Sequence, residues 1–234
     1  MADVSRQNEF LYKMSHSMRA GLADVQKHVN DLYKIEELED YFAEKDNPVE
    51  NVKAALMPLI SQVVDIQDYA ETVTGRMELN LEDEVDIYAL LDGVLAIADQ
   101  LIEQKDGRVV LEGDIAENLP TIEADPARLS QALLNLIHNA VKFTDSGQVT
   151  ICIMQESNDI LFEVRDTGIG ITEEDQELVF EPFETILADK DDPRLGFGLG
   201  LKIVEHIIDL HDGETWFESK AGVGSSFFFT IPLN

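Results

Sequence analysis

The chain reads as an α+β protein in two parts, a long helical hairpin followed by a mixed helix-and-strand domain. Three observations carry this. Apolar residues recur at three- and four-residue spacing through the first third. Beyond about residue 86, short alternating strands and amphipathic helices interleave, with glycine and Asx turns between them. The hydrophobic fraction, 44%, over 234 residues is enough to bury a core.

The elements follow in order. Leu11, Met14, Met18, Leu22, Val25, Val29 and Leu32 form one stripe of a helix spanning about 5–44. The polar break Glu44-Lys45-Asp46-Asn47-Pro48 ends it. A second stripe runs through Val52, Leu56, Leu59, Val63, Ile66, Ala70 and Val73, with Pro58 expected to kink it or mark its first turns and Gly75 at its exit. One hairpin cannot bury two apolar stripes, whereas two hairpins packed as a four-helix bundle can, so a homodimer is expected. An acidic stretch, Glu78 to Asp86, separates this part (1–78) from the second (79–234). There the pattern predicts a helix over 87–103, strands near 108–112 and 121–124, and a helix from Pro126 to Phe143 whose N-cap is Asp125. A hairpin (148–155, 160–166), a short helix (173–180), a polar loop to Leu195, a helix (198–211) and two strands (214–219, 225–231) complete the chain.

Charge and cysteine content exclude several classes. With 47 Asp and Glu against 17 Lys and Arg, the formal charge is −30, which repels nucleic acid and anionic membrane surfaces. The one cysteine, Cys152, allows neither an intrachain disulfide nor a cysteine-based zinc site and reads as a small buried strand residue. No apolar run reaches the ~18 residues of a membrane span, and Met1 to Phe10 lacks a signal-peptide core, so a cytoplasmic setting is expected.

Three segments carry chemistry. On the 126–143 helix, Gln131, Asn135, His138, Asn139 and Lys142 share one side, opposite Leu129, Ala132, Leu133, Leu136 and Ala140. Amide oxygens can coordinate Mg²⁺ and a lysine can neutralise phosphate, although a polar side is more often only a solvated face. Asp166-Thr167-Gly168-Ile169-Gly170 leaves a strand with a carboxylate able to accept from an amino group and glycines that let backbone approach a ligand, although a tight turn explains it equally well. Gly196-Phe197-Gly198-Leu199-Gly200 opens a helix, where unpaired N–H groups and the dipole favour an anion. The P-loop pattern is absent, and the third glycine is misplaced for a dinucleotide fingerprint.

Taken together, the run Leu134 to Thr144, Asp166 to Gly170, Phe180-Glu181-Pro182-Phe183, Gly196 to Gly200 and the closing runs His211-Asp212-Gly213 to Ser219 and Gly222 to Phe227, led in by Asp125-Pro126-Ala127-Arg128-Leu129, closely resembles the ATP-binding domain of sensor histidine kinases, over about residues 85–234. Phe10 to Arg19 is similar to that family's phosphoacceptor box, with His16 at the acceptor position. Helix geometry agrees independently, since His16 lies roughly 170° from the apolar stripe and faces outward.

The resemblance implies an α/β-sandwich (Bergerat-type) ATPase domain, with ATP and Mg²⁺ as cofactors. It implies Asn139 on Mg²⁺ with Asn135 beside it, Lys142 on phosphate, Phe143 next to it in the ATP site, and Asp166 on the adenine amino group. Gly168 and Gly170 would make room for the base. Gly196, Gly198, Leu199 and Gly200 would line the phosphate end, with Arg194 a further phosphate contact and Phe180 and Phe183 packing the loop. It also implies autophosphorylation on His16 and transfer to an aspartate of a response-regulator receiver domain, under control of an upstream sensor domain.

The chain departs from the family pattern in places. Ser17 stands where an acidic residue usually orients the imidazole and takes its proton, leaving Glu9 or Asp24 as substitute bases. Ala20-Gly21 replaces the usual Thr-Pro, so weak phosphatase activity is expected. Leu195 and Phe197 replace a frequent glycine and threonine. Two alternatives stay open: a catalytically weakened ATP-binding scaffold, and a chaperone-, gyrase- or mismatch-repair-like ATPase.

Overall fold

The computed structural model describes residues 22–23, 25–27, 29, 48–103, 105–185 and 196–233. The chain divides into two compact units, Met1–Ala70 and Glu71–Asn234. In the first, the described residues among 22–29 are helical. The rest of the expected first helix, with His16, Ser17 and the other residues of the acceptor box, lies outside the described residues, as does Arg194. Helix α1 (Pro48–Thr74) begins at a proline, whose missing N–H costs a helix nothing at that position. It runs unbroken through Pro58, which neither starts nor ends it as the sequence had suggested for its first turns. It ends at Gly75, whose φ of 62° is the left-handed exit that glycine favours.

The second unit is a two-layer α/β sandwich. Strand β1 (Glu82–Val85) pairs antiparallel with β3 (Ile122–Ala124) in a small sheet. Helix α2 (Ile87–Glu103) follows β1, and β2 (Val109–Ile115) precedes β3. Helix α3 (Pro126–Phe143) leads into the hairpin β4 (Gly147–Glu156) and β5 (Asp159–Asp166). Helix α4 (Gly200–Leu210), β6 (Thr215–Lys220) and β7 (Gly224–Pro232) close the domain. The main sheet has the order β2-β4-β5-β7-β6, parallel only at β2–β4. All three helices pack on one face of it.

Alternation sets that face. Val149, Ile151 and Ile153 of β4, Ile160, Phe162 and Val164 of β5, and Phe227, Phe229 and Ile231 of β7 point into the core. They meet Leu129, Leu133, Leu136, Ile137 and Val141 of α3 and Ile203, Val204, Ile207 and Ile208 of α4, all buried. The β5–β7 register puts Phe162 opposite Phe229, and their rings stack at 4.5 Å. Cys152 is buried in β4 as expected; burial pushes its thiol up, although Arg165 donates to it at 3.3 Å.

Three expectations change. The acidic stretch holds strand β1, which the sequence reading left out because three of its four residues are exposed acids and apolar alternation is missing. The short helix expected over 173–180 shrinks to a 3₁₀ turn, Gln176–Leu178. The last helix starts at Gly200, because Gly198 has a φ of 68° and cannot lie inside an α-helix.

Candidate nucleotide-binding site

Helix α3 is set first, because it carries four of the implicated side chains. The Asp125 carboxylate caps it, accepting from Ala127 N and Arg128 N at 3.0 Å each, with Pro126 at the first helical position. Seven buried apolar residues fix its rotation. Asn135, Asn139, Lys142 and Phe143 are consequently left half-buried on the open side, along one stretch of helix surface.

The C-terminal end of α3 meets the end of β5. Asp166 is buried, at 7% exposure, and its Oδ1 accepts from Gly168 N at 2.8 Å and from Ser225 N at 3.3 Å. Burial raises its carboxyl above the ordinary range, and the two backbone donors only partly oppose that. Gly168 is pressed against Phe143 O, where any Cβ would collide, and Ile169 N donates to the same oxygen at 3.3 Å. Gly170, at φ 64°, lies against Lys220 O. Ile171 N donates to Ser219 Oγ at 2.8 Å, which bonds Ser225 Oγ at 2.9 Å. The Asp-Thr-Gly-Ile-Gly segment is thus clamped between α3 and the β6–β7 hairpin, with its carboxylate held by main-chain donors.

The glycine turn meets the same helix further toward its N-terminus. Asn135 Nδ2 donates to Gly200 O at 3.4 Å, and the Lys142 ammonium lies 3.5 Å from where a Cβ on Gly196 would be. Lys142 also sits over the Phe143 ring, 5.1 Å from its centroid. Gly198 is packed against Glu184 O, and Phe183 N donates to Gly198 O at 3.0 Å, so the two sides of this loop are joined at its base. Phe180 packs on Phe217 at 5.9 Å. Leu199 is buried and stands at the N-cap of α4, where no side chain caps the helix. The first turn of α4, which opens beside Asn135, therefore has no side-chain cap for its N–H groups.

One end of this arrangement offers a fixed acceptor suited to an exocyclic amine. The other offers an ammonium, amides and a helix N-terminus suited to a polyanion. Residues 124–234 match the family model described as Histidine kinase-, DNA gyrase B-, and HSP90-like ATPase. The catalytic domain of histidine kinase ThkA is 30% identical at a TM-score of 0.56, over 67% of this chain and 98% of that domain. The chain belongs to the histidine kinase family. Its described second unit is a histidine kinase ATP-binding core, and the α+β fold is that of this ATPase group.

Adaptive-response sensory kinase SasA of Synechococcus sp. is 31% identical over 186 residues, which is 79% of this chain and 48% of SasA. Full-length ShkA, solved in complex with AMPPNP, is 26% identical at a TM-score of 0.68 over 96% of this chain and 45% of that one. ThkA in complex with the response regulator protein TrrA matches at 23% identity and a TM-score of 0.65, a likeness in fold. The chain spans less than half the length of the curated relatives it matches.

In this histidine kinase core the structure brings together Phe143, Asp166 and Gly168, and separately Asn135 with Gly200 and Lys142 with Gly196. Asn139 lies one turn beyond Asn135 on the same helix. Two residues that the sequence reading left out of the site now stand beside Asp166: Ser225 and, through it, Ser219. The signal for them is the pairing of Asp166 with Ser225, a long-range register that one sequence does not display.

Proposed function

We propose that this chain is an ATP-dependent protein histidine kinase that autophosphorylates His16 and passes the phosphoryl group to an aspartate on a response-regulator receiver domain. The observation that carries the nucleotide half is the Asp166 carboxylate, buried and held by Gly168 N and Ser225 N at the end of a helix bearing Asn135, Asn139 and Lys142. A buried acceptor so held selects a ligand that donates to it, here the adenine amino group. Gly168 and Gly170 let the main chain beside Asp166 pack against Phe143 O and Lys220 O, which fixes the backbone that would flank the base. Lys142, the α4 N-terminus and, as the family resemblance implies, Arg194 take the phosphates.

The amide pattern fits Mg²⁺ in a limited way. Asn135 Nδ2 turns to Gly200 O, which leaves its oxygen as the coordinating atom, and Asn139 offers a second oxygen. Among the described residues no cluster of His, Cys, Asp or Glu is placed to hold an ion, so Asn139 would ligate Mg²⁺ that the phosphates mainly hold. When bound, Mg²⁺ neutralises charge that develops on the transferred group. The residues' own work is to orient the triphosphate and exclude water from it. The imidazole of His16 then attacks the γ-phosphorus, its nitrogen–phosphorus bond forming as the bond to ADP breaks, and its proton leaves to Glu9 or Asp24 in place of the usual neighbour, since Ser17 is not a comparable base.

Residues 1–78 would form the dimerisation and phosphoacceptor hairpin, and 79–234 the catalytic domain. On α1, Met57, Ile60, Val63 and Val64 are exposed apolar residues at helical spacing, which supports a homodimeric four-helix bundle. The resemblance adds an upstream sensor domain, and the composition adds a cytoplasmic setting for this part of a protein whose full length could be membrane-anchored; among the described residues no helix is long and apolar enough to cross a membrane. Ser17 and Ala20 favour a second reading, an ATP-binding scaffold with little kinase or phosphatase activity.

Incubation with Mg²⁺ and γ-labelled ATP separates the two. Acid-labile label on the chain, absent in His16→Gln, is the expected result. ATP binding without label supports the scaffold, and steady hydrolysis without a phosphoprotein supports a plain ATPase.

A further inference from the structure

Helices α3 and α4 are hydrogen-bonded to one another at two places. At the site end Asn135 Nδ2 reaches Gly200 O. At the far end the buried imidazole of His211, which directly follows α4, accepts from the main-chain N–H of Asp125 at 2.9 Å. Its other nitrogen, Nδ1, lies 2.7 Å from Ile207 O. A carbonyl can only accept and an amide N–H can only donate, so both bonds are made at once only by the neutral ring protonated on Nδ1. Asp125 is the N-cap of α3; its carboxylate serves Ala127 N, Arg128 N and Asn80 N, and its own N–H is the donor that His211 takes. The α4 side has little slack. His211 N and Gly213 N both donate to Ile208 O at 3.0 Å, Asp212 has a φ of 56°, and Gly213 is pressed against Thr230 O.

We infer that His211 is a positioning residue that sets the register of α4 against α3, and so holds the glycine turn Gly196–Gly200 where the phosphates of a bound nucleotide meet Asn135, Asn139 and Lys142. Asp125 and Asn135 are about 15 Å apart along α3. A helix is stiff over that length, so a slip of α4 at His211 appears at Gly200. The adenine end rests on β5, β7 and the end of α3 and does not use α4. The effect therefore falls on the phosphates and spares the base. This inference rests on the nucleotide reading above.

The test uses isothermal titration of the full chain with adenosine and with Mg²⁺–AMPPNP. His211→Asn can keep a donor near Nδ1 for Ile207 O but loses the acceptor for Asp125. His211→Gln places an acceptor near Nε2. The expected result is about a tenfold loss of AMPPNP affinity in His211→Asn with adenosine unchanged, and a loss within about twofold in His211→Gln. Equal losses for both ligands, or no loss beside a lower Tm, overturn it. Should His211→Asn not fold, hydrogen exchange on the unmodified chain decides. Slower exchange of the Asp125 amide with AMPPNP but not with adenosine supports the inference, and no difference overturns it. An unmodified chain that binds neither ligand overturns the nucleotide reading itself.

Discussion

The two ends of the site are built differently. At the adenine end every fixed contact is main chain or buried: Asp166 is held by Gly168 N and Ser225 N, and Gly168 and Gly170 are wedged against carbonyls of Phe143 and Lys220. At the phosphate end the groups are half-buried side chains on a helix surface and a glycine turn, joined by the 3.4 Å bond of Asn135 to Gly200. A buried acceptor left unpaired is costly, so on the proposed reading the first end would discriminate among bases. Charged and amide groups near solvent attract any polyphosphate and tolerate movement, so on the proposed reading the second end would supply affinity and adjust as the phosphoryl group leaves.

The comparison breaks most sharply at Asp166. Asp166→Asn keeps an oxygen for Gly168 N and Ser225 N but can present a donor to the adenine amino group. It is expected to lower adenosine and ATP affinity alike, by about 100-fold, from the loss of a hydrogen bond to a charged group and an added unpaired donor. Circular dichroism should show the fold and Tm preserved or improved, because the substitution removes a buried charge. Equal affinity in titration calorimetry would remove Asp166 from base recognition.

Lys142→Met sharpens the other side. It keeps an apolar side chain of similar length and removes the charge that lies over the Phe143 ring and beside Gly196. About a tenfold loss is expected for ATP, a smaller one for ADP and none for adenosine. A loss shared by adenosine would mean that Lys142 shapes the whole pocket.

How much of this was legible differs between the two ends as well. The phosphate end lies on α3 and at the start of α4, so helical periodicity and a local glycine pattern expose Asn135, Asn139, Lys142 and Gly196 to Gly200 in the sequence. The bounds of α2 and α3 read correctly for the same reason, since a strong 3.6-residue stripe and an Asp-Pro start are local signals. The adenine end is assembled across β5 and β7, and Ser219 and Ser225 join it only through strand register. Strand β1 escaped because its pairing with β3, rather than any apolar pattern, makes it a strand. The charge of −30 led only to the expectation of no nucleic-acid partner and said nothing of the site, whose cationic contribution is a few local groups. His211 stands in the sequence within the run that resembles the family's closing hairpin, but its bond to Asp125 spans 86 positions and one sequence does not display it.

The smallest expected effect is in pH, and it has opposite signs on affinity and on stability. Burial raises the Asp166 carboxyl in the folded chain above its unfolded value. The folded state therefore holds this proton more tightly than the unfolded one. The ionised carboxylate is a burden on the fold at neutral pH, and that burden is relieved as pH falls through the folded value. Base recognition runs the other way, because protonation replaces an acceptor with a donor facing the adenine amino group. Adenosine affinity should thus begin to fall at a higher pH than an ordinary aspartate would give, while the Tm advantage of Asp166→Asn over the unmodified chain should shrink over the same range. Adenosine is the ligand of choice, since it carries no phosphate to titrate. The Tm difference between the two chains cancels the other carboxylates, which both share. A Tm difference independent of pH, beside an affinity that still falls in acid, would place the titrating group elsewhere than Asp166 and leave the adenine end without its pH signature.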